Sequence, residues 1–493
     1  MMMRTSGYSI LGLLIAGLLV AGVPAGAAEL NIGDPAPKLE VSKWVKGKPV
    51  DLAAIKGKKI VVLDFWATWC GPCIESIPHL TALQRDLAAK DVVIIGVTAR
   101  DPGNTLKMVE KFVARWGDKM AYSIAFDKEE KAYKAYMEAT GQSGIPTAFV
   151  IDKSGRVAWI GHPTFGLDEV LEEVIAGKHD IELAKKVCAS QHKIDAAWME
   201  GDFDTFVKAC NDWIDVKPGD VVPYLSLFRA YAYGLEDDAK ALAAAEKAVA
   251  MADKKSRVLG DFAVELAGWA DKDVQRKLAL KAAARAIELD PTNTDGLVAR
   301  FMILARAGQT DRATKASARA IDAMHNDDEA LGQFAVALSS PEWEDRFIDV
   351  SLRAVDLAIK AGQPDNARHL LTKFRIMAAS SKDHRGIEEL GRLVIKKGAD
   401  DPTLLNEFAW GLLTEEDTEG KFNELALAAA QQCSEASGGE NWMYLDTLAL
   451  AKFETGARKD AVALQEKAIE LCDNGMALIE LRQSLKRYQE QGL

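Results

Sequence analysis

A chain of 493 residues exceeds what one ordinary hydrophobic core serves, so two or more domains are expected. Its 48% hydrophobic and 27% charged content is that of a soluble globular protein and excludes a low-complexity or wholly disordered chain. A net charge of −12, with no lysine- or arginine-rich run, excludes nucleic acid and anionic membrane surfaces as electrostatic partners.

The N-terminus reads as a targeting segment. Arg4 supplies a positive start, Ser9 to Val23 is apolar or small without a charge, and Ala25-Gly26-Ala27 offers the small residues of a cleavage site. Residues 1–27 are therefore expected to be a signal peptide. The apolar stretch falls short of the ~20 residues that a spanning helix prefers, and an uncleaved signal kept as a membrane anchor is the alternative. No cysteine follows to carry a lipid. Export to a periplasmic or other extracytoplasmic compartment is the expectation.

Residues 29–178 alternate strand and helix signals. The apolar, β-branched runs Ile60–Phe65, Val92–Val97, Thr147–Ile151 and Arg156–Ile160 have strand length. Helical patterns occupy Ile74–Ala89, Thr105–Trp116, Lys128–Ala139 and Leu167–Ala176, and Asp152-Lys153-Ser154-Gly155 joins the last two strands as a hairpin turn. Ile32–Asp51 reads as an N-terminal extension with short edge strands. The expected fold of this region is an α/β sandwich with an antiparallel hairpin at its edge.

The first strand runs into Trp69-Cys70-Gly71-Pro72-Cys73 at a helix start. Unpaired backbone N–H groups and the helix dipole stabilise a thiolate there, so Cys70 is the expected nucleophile. Cys73, one turn on, would displace the product and close a Cys70–Cys73 disulfide, with Gly71-Pro72 keeping the turn between them compact. Half a zinc site is the other use of two such thiols. It would need a second Cys-x-x-Cys or a paired histidine motif, and neither is present, so no metal and no cofactor is expected.

From His179 to Leu493 glycine and proline thin out, alanine rises and strand-like runs vanish. Gly308 is followed by Ala313 and Ala320, Gly362 by Ala367, and Gly456 by Ala461 and Ala468, with Leu445 and Leu448 upstream of the last. A glycine that ends one helix and alanines that let the next approach closely are what a helix-turn-helix repeat requires. Asp290-Pro291 and Asp401-Pro402 punctuate the units as helix starts. The pattern resembles tetratricopeptide repeats, the alternative being an irregular helical bundle. His192, His325, His369 and His384 lack metal-ligand spacing and read as solvated or capping residues. Cys433 and Cys472 end two similar helices, whose axes in stacked repeats would lie roughly 8–10 Å apart. A disulfide needs Cα atoms within about 7 Å, so these two read as buried thiols, while Cys188 with Cys210 is left open.

Asp64-Phe65-Trp66-Ala67-Thr68-Trp69-Cys70-Gly71-Pro72-Cys73, with Ile77-Pro78 and the later Gly144-Ile145-Pro146-Thr147, resembles the thioredoxin superfamily, and within it the TlpA/ResA-like exported thiol-disulfide oxidoreductases. The resemblance implies that Pro146 is a cis-proline whose loop, Ile145 to Thr147, lies against the disulfide and pairs with substrate backbone. It implies that Asp64 is a buried acid assisting proton transfer at Cys73, and that Trp69 flanks the nucleophile, forming with Gly71 and Pro72 the surface a substrate meets. Pro78 would kink the active-site helix. Ser76 stands where some of these reductases carry an acid. Trp66 reads as core, and His162 as a loop residue.

Three functions compete at this stage. The first is an exported oxidoreductase that reduces or exchanges disulfides in protein clients, fed by a membrane electron donor, with the helical repeats holding the client. The second is a peroxiredoxin-like thiol peroxidase. Its Pro-x3-Thr-x2-Cys pattern is broken here by Leu63 and Ala67. The third is a repeat-based interaction module with a subsidiary redox domain.

Overall fold

The computed structural model describes residues 30–490 except 102, 143, 325–326, 363–365, 381–385 and 473–474. The segment 1–27, expected to be a signal peptide, and the histidines at 325 and 384 lie outside the described residues. Six strands form one mixed sheet: β1 (Lys43–Lys46), β2 (Ile60–Phe65), β3 (Val92–Ala99), β4 (Ser123–Asp127), β5 (Thr147–Ile151) and β6 (Val157–Gly161), in the spatial order β1-β4-β3-β2-β5-β6. β2, β3 and β4 are parallel neighbours. β5 runs antiparallel to β2, β6 antiparallel to β5, and β1 antiparallel to β4 at the far edge. Helices α1 (Leu52–Ile55), α2 (Gly71–Leu87), α3 (Leu106–Trp116), α4 (Lys131–Tyr136) and α5 (Leu167–Ile175) fall between and after the strands.

The period of two along a strand assigns the faces. Ile60 and Val62 of β2 and Trp66 just after it share a core with Ile94, Ile124, Phe126 and Val150, and with Ile77 and Leu80 of α2, Val109 and Phe112 of α3, and Leu171 of α5. Val61, Leu63 and Phe65 point the other way, into a core with Phe149, Ile151, Ala132 and Tyr136 of α4, and Leu30, Ile32 and Leu39 of the N-terminal extension. Trp66 belongs to the core, its ring 5.3 Å from that of Phe112. β4 is the strand the sequence reading passed over, although Tyr122, Ile124 and Phe126 alternate with Ser123, Ala125 and Asp127.

By packing, the chain divides into two compact units, one ending at Asp253 and the other beginning at Lys254. The place near 178–179 where strands give way to helices is thus a change of secondary structure, and α6 (Ile181–Glu200), α7 (Phe203–Val216), α8 (Val222–Arg229) and α9 (Asp238–Met251) belong to the first unit. Asp180, Asp202 and Asp237 each cap one of these helices by accepting a backbone N–H of its first turn.

The second unit is all helix among its described residues, built of consecutive packed helices. Trp442–Glu454 and Arg458–Leu471 form one such pair. Gly456 turns the chain between them at φ +85°, a conformation glycine adopts without a Cβ penalty, and Ala461 and Ala468 are fully buried. Gly308, Ala313 and Ala320 repeat the arrangement between Thr294–Arg306 and Thr310–Ala323. Pro402 opens a helix under the Asp401 cap. Pro291 does not: that helix starts at Thr294, because Asn293 takes the capping position and also ties to Ser256. His369 is neither solvated nor capping. It is buried, with Nε2 3.2 Å from Asp328 Oδ2.

Candidate active site

β2 ends at Phe65, and a four-residue turn, closed by the Cys70 N–H donating to the Ala67 carbonyl, carries the chain into α2. The helix begins at Gly71 rather than at Ile74, because Cys70 occupies the N-cap and Pro72, which has no N–H to lose, fits the first turn. Cys70 and Cys73 are joined in a disulfide with their Cα atoms 5.2 Å apart. Cys70 Sγ accepts the Cys73 N–H at 3.2 Å. A sulfur held at the positive end of a 17-residue helix and facing a backbone donor is stabilised as a thiolate once the disulfide opens.

The opposite wall is Gly144 to Thr147. The Ile145–Pro146 peptide bond is cis, and the Ile145 carbonyl oxygen lies 3.7 Å from Cys70 Sγ. Thr147, the first residue of β5, donates its hydroxyl to the Gly144 carbonyl at 2.7 Å and so closes the loop on itself. Pro146 is buried while Ile145 is half-buried and Gly144 exposed. At the rim, Gly71 is exposed, Pro72 half-buried and Trp69 57% exposed, the most open large apolar side chain of the α/β region.

Asp64 lies beneath the helix. It sits on β2 between Val62 and Trp66, on the face that α2 covers, paired in register with Gly96 and Ala148. Its Oδ1 is buried without a hydrogen-bond partner, and burial pushes its carboxyl well above the usual carboxylate range. The Trp66 Nε1 and Tyr122 hydroxyl of the same core are buried without partners too. Burial raises the Tyr122 phenol, and the nearby Asp64 charge raises it further.

Ser76 donates its hydroxyl to the Cys73 carbonyl at 2.7 Å, so this position of α2 holds a neutral group turned onto its own helix. His162 faces its own turn, taking the Thr164 hydroxyl at 2.8 Å and packing on Phe165. Leu63 and Ala67, both buried, bring no polar group to the site.

The sequence reading did not single out Asp101 or Asn104. They follow β3, whose end lies beside that of β2 because the two strands are parallel. Asp101 Oδ2 accepts the Trp69 indole N–H at 2.9 Å, and Asn104 Oδ1 accepts the Thr68 N–H at 3.0 Å. The available signal was topological: polar turn residues at the carboxyl end of a strand adjoining the motif's own.

The remaining cysteines form no disulfide. Cys210 and Cys433 are buried and burial pushes both thiols up to about 12; Cys433 donates to the Pro402 carbonyl. Cys188 is half-buried with its thiol pushed up to about 11, and its sulfur lies 3.8 Å from His192 Nε2. Cys472 is half-buried rather than buried, because it sits at the end of its helix where the chain leaves the packed face. Among the described residues no cluster of three or more His, Cys, Asp or Glu could hold a metal ion, and no helix is long and apolar enough to cross a membrane.

A family model described as the AhpC/TSA family matches residues 32–160. The chain is 36% identical over 129 residues to the thiol-disulfide oxidoreductase ResA of Bacillus thuringiensis, an alignment spanning 26% of this chain and 68% of that protein. It is 28% identical over 155 residues to protein FixW of Rhizobium leguminosarum, spanning 31% and 69%. Among solved structures, a putative thiol:disulfide interchange protein DsbE from Chlorobium tepidum is 31% identical and aligns over 31% of this chain and 100% of its own, with a TM-score of 0.25.

Proposed function

This chain belongs to the ResA-like thiol-disulfide oxidoreductases of the thioredoxin superfamily, and on that premise we propose that it reduces or exchanges disulfides in protein clients outside the cytoplasm. The observation that carries the reading is the Cys70–Cys73 disulfide at the start of α2, against the Ile145 carbonyl and the cis Pro146. In the dithiol form, the Cys70 thiolate attacks one sulfur of a client disulfide. A Cys70–client bond forms, the client S–S bond breaks, and the released client sulfur takes a proton. Cys73 then attacks Cys70 Sγ, closing the intramolecular disulfide and releasing the second client thiol. Two electrons pass from the dithiol to the client, and a membrane dithiol donor would restore them. To Asp64, buried on the strand face that α2 covers, we assign the transfer of the Cys73 proton to the departing client sulfur.

Trp69, Gly71 and Pro72 on one side, and Ile145, Pro146 and Thr147 on the other, are the surface we assign to the client backbone. The Gly-Pro pair between the cysteines is that of thioredoxin, whose potential near −270 mV lies on the reducing side, and supports reduction over oxidation. The N-terminal segment 1–27 supports export. We assign the helices from residue 179 onward, read as tetratricopeptide-like repeats, to holding clients.

The test is capture. Cys73→Ser in the full chain removes the resolving thiol, and mixed disulfides through Cys70 are expected to accumulate with extracytoplasmic proteins, reversed by dithiothreitol and identified by mass spectrometry. A Cys70→Ser chain should trap none. Equal trapping by both variants, or none by either, would reject the assignment.

A further inference from the structure

Asn104 is fully buried just beyond β3, and every hydrogen-bonding position of its side chain is used. Oδ1 accepts the Thr68 N–H at 3.0 Å and the Thr68 hydroxyl at 2.9 Å. Nδ2 donates to the Thr98 hydroxyl at 2.7 Å and the Ala99 carbonyl at 2.6 Å. A side-chain amide has two acceptor and two donor positions, and the backbone N–H on one side and carbonyl on the other fix which way round it sits. The next clamp lies alongside. Asp101 takes the Gly103 N–H on Oδ1 at 2.7 Å and the Trp69 indole on Oδ2 at 2.9 Å.

Thr68 and Trp69 are the two residues immediately before Cys70. The turn they occupy has one internal hydrogen bond, from Cys70 N–H to Ala67 carbonyl. Its other restraints come from the segment just beyond β3: Asn104 holds both the N–H and the hydroxyl of Thr68, the Gly103 carbonyl stands 3.4 Å from that hydroxyl, and Asp101 takes the Trp69 indole. Cys70 Sγ must meet two things at once: the Cys73 N–H behind it and the Ile145 wall in front. Where the turn goes, that sulfur goes.

We propose that Asn104 is a positioning residue of the exchange reaction: by bolting Thr68 to the end of β3, it sets where Cys70 Sγ stands relative to the helix N-terminus and the client disulfide. The proposal rests on the reading of Cys70 as the attacking thiolate. It adds a group that touches neither sulfur and acts through the backbone of the preceding turn. Its consequence is a paired effect. Loosening the turn moves the sulfur off the helix axis, so the thiolate loses stabilisation and the attack geometry worsens together.

The experiment uses the reduced full chain with Asn104→Ala, Thr68→Val and Thr68→Ser, reading the pH dependence of Cys70 alkylation and the rate of attack on a small disulfide, 2-hydroxyethyl disulfide. Near-ultraviolet circular dichroism checks the fold. Asn104→Ala is expected to raise the alkylation midpoint and slow the attack roughly tenfold. Thr68→Val, which removes the hydroxyl's bonds to Asn104 and to the Gly103 carbonyl at a half-buried site but keeps the backbone bond to Asn104, should move both in the same direction by less, and Thr68→Ser should restore them. If Thr68→Val leaves the midpoint and rate unchanged, the proposal is overturned, whether or not Asn104→Ala folds. A folded Asn104→Ala with an unaltered midpoint overturns it equally. If the parent chain itself shows no attack through Cys70, the functional reading fails instead, and the two failures are told apart.

Discussion

Asp64 is a carboxyl held inside a strand with one oxygen unpartnered, and its burial decides how it behaves with pH. Its proton-bearing form suits the fold, so the carboxyl sits well above its ordinary range. The sign follows. The stability it contributes is fully present below the unfolded carboxyl value of about 3.9, and is lost as pH rises through the higher folded value. Asp64→Asn cannot ionise. Its denaturant midpoint is therefore expected to exceed that of the parent at neutral and alkaline pH and to vary less with pH. The same change should slow release of a mixed disulfide by Cys73 by on the order of a hundredfold, the usual scale of a lost proton-transfer group, while leaving the first attack by Cys70 nearly unaffected. Stopped-flow rates for the two steps, measured separately, check this; an unaltered second step would remove Asp64 from the mechanism. An acid in an apolar strand was conspicuous in the sequence for the same physical reason. Asp101 and Asn104 were not, because nothing local marks them: their partners stand 32 and 36 positions away, and only the parallel pairing of β2 with β3 brings them together.

At the scale of elements, the four strands with continuous β-branched runs were readable because burial on both faces demands them. β4 was harder. Ser123, Ala125 and Asp127 interrupt it, and Asp127 is there to accept the N–H groups of Ala132 and Tyr133 at the start of α4. The pairing of β2 with β3 also places a constraint on Gly96. A Cβ built there would stand 2.9 Å from both Trp66 Nε1 and Ile124 Cδ1. Gly96→Val should thus force the Trp66 indole out of place and destabilise the α/β region by about 1–3 kcal/mol. Urea unfolding followed by tryptophan fluorescence measures the loss. In the helical half the glycine and alanine spacings marked the turns and close approaches, whereas the Asp328–His369 pair was invisible, since 41 residues of sequence separate its members.

At the scale of the molecule, charge is the property that local geometry leaves out. The chain carries −12 overall. A cationic disulfide peptide is accordingly expected to be attacked faster than an anionic one of the same size, by roughly tenfold at low ionic strength, and salt should close the gap as the Debye length shrinks. Second-order rates at two salt concentrations decide it, and a difference that salt leaves intact would point to contacts at the Trp69 rim instead. The division into units at Asp253 could not be read from composition, because α6 to α9 carry the alanine-rich texture of the second unit while packing with the first.

Three of the thiols outside the motif bear on how such a chain survives repeated redox cycles. With Cys188 pushed up to about 11, and Cys210 and Cys433 to about 12, each is almost wholly protonated at neutral pH. A protonated thiol is a poor nucleophile toward disulfides. Burial of Cys210 and Cys433, and the half-buried setting of Cys188, thus disfavour the reactive thiolate at all three. On the proposed function, a disulfide brought to this protein would exchange at the head of α2, and these three thiols would stay out of the exchange.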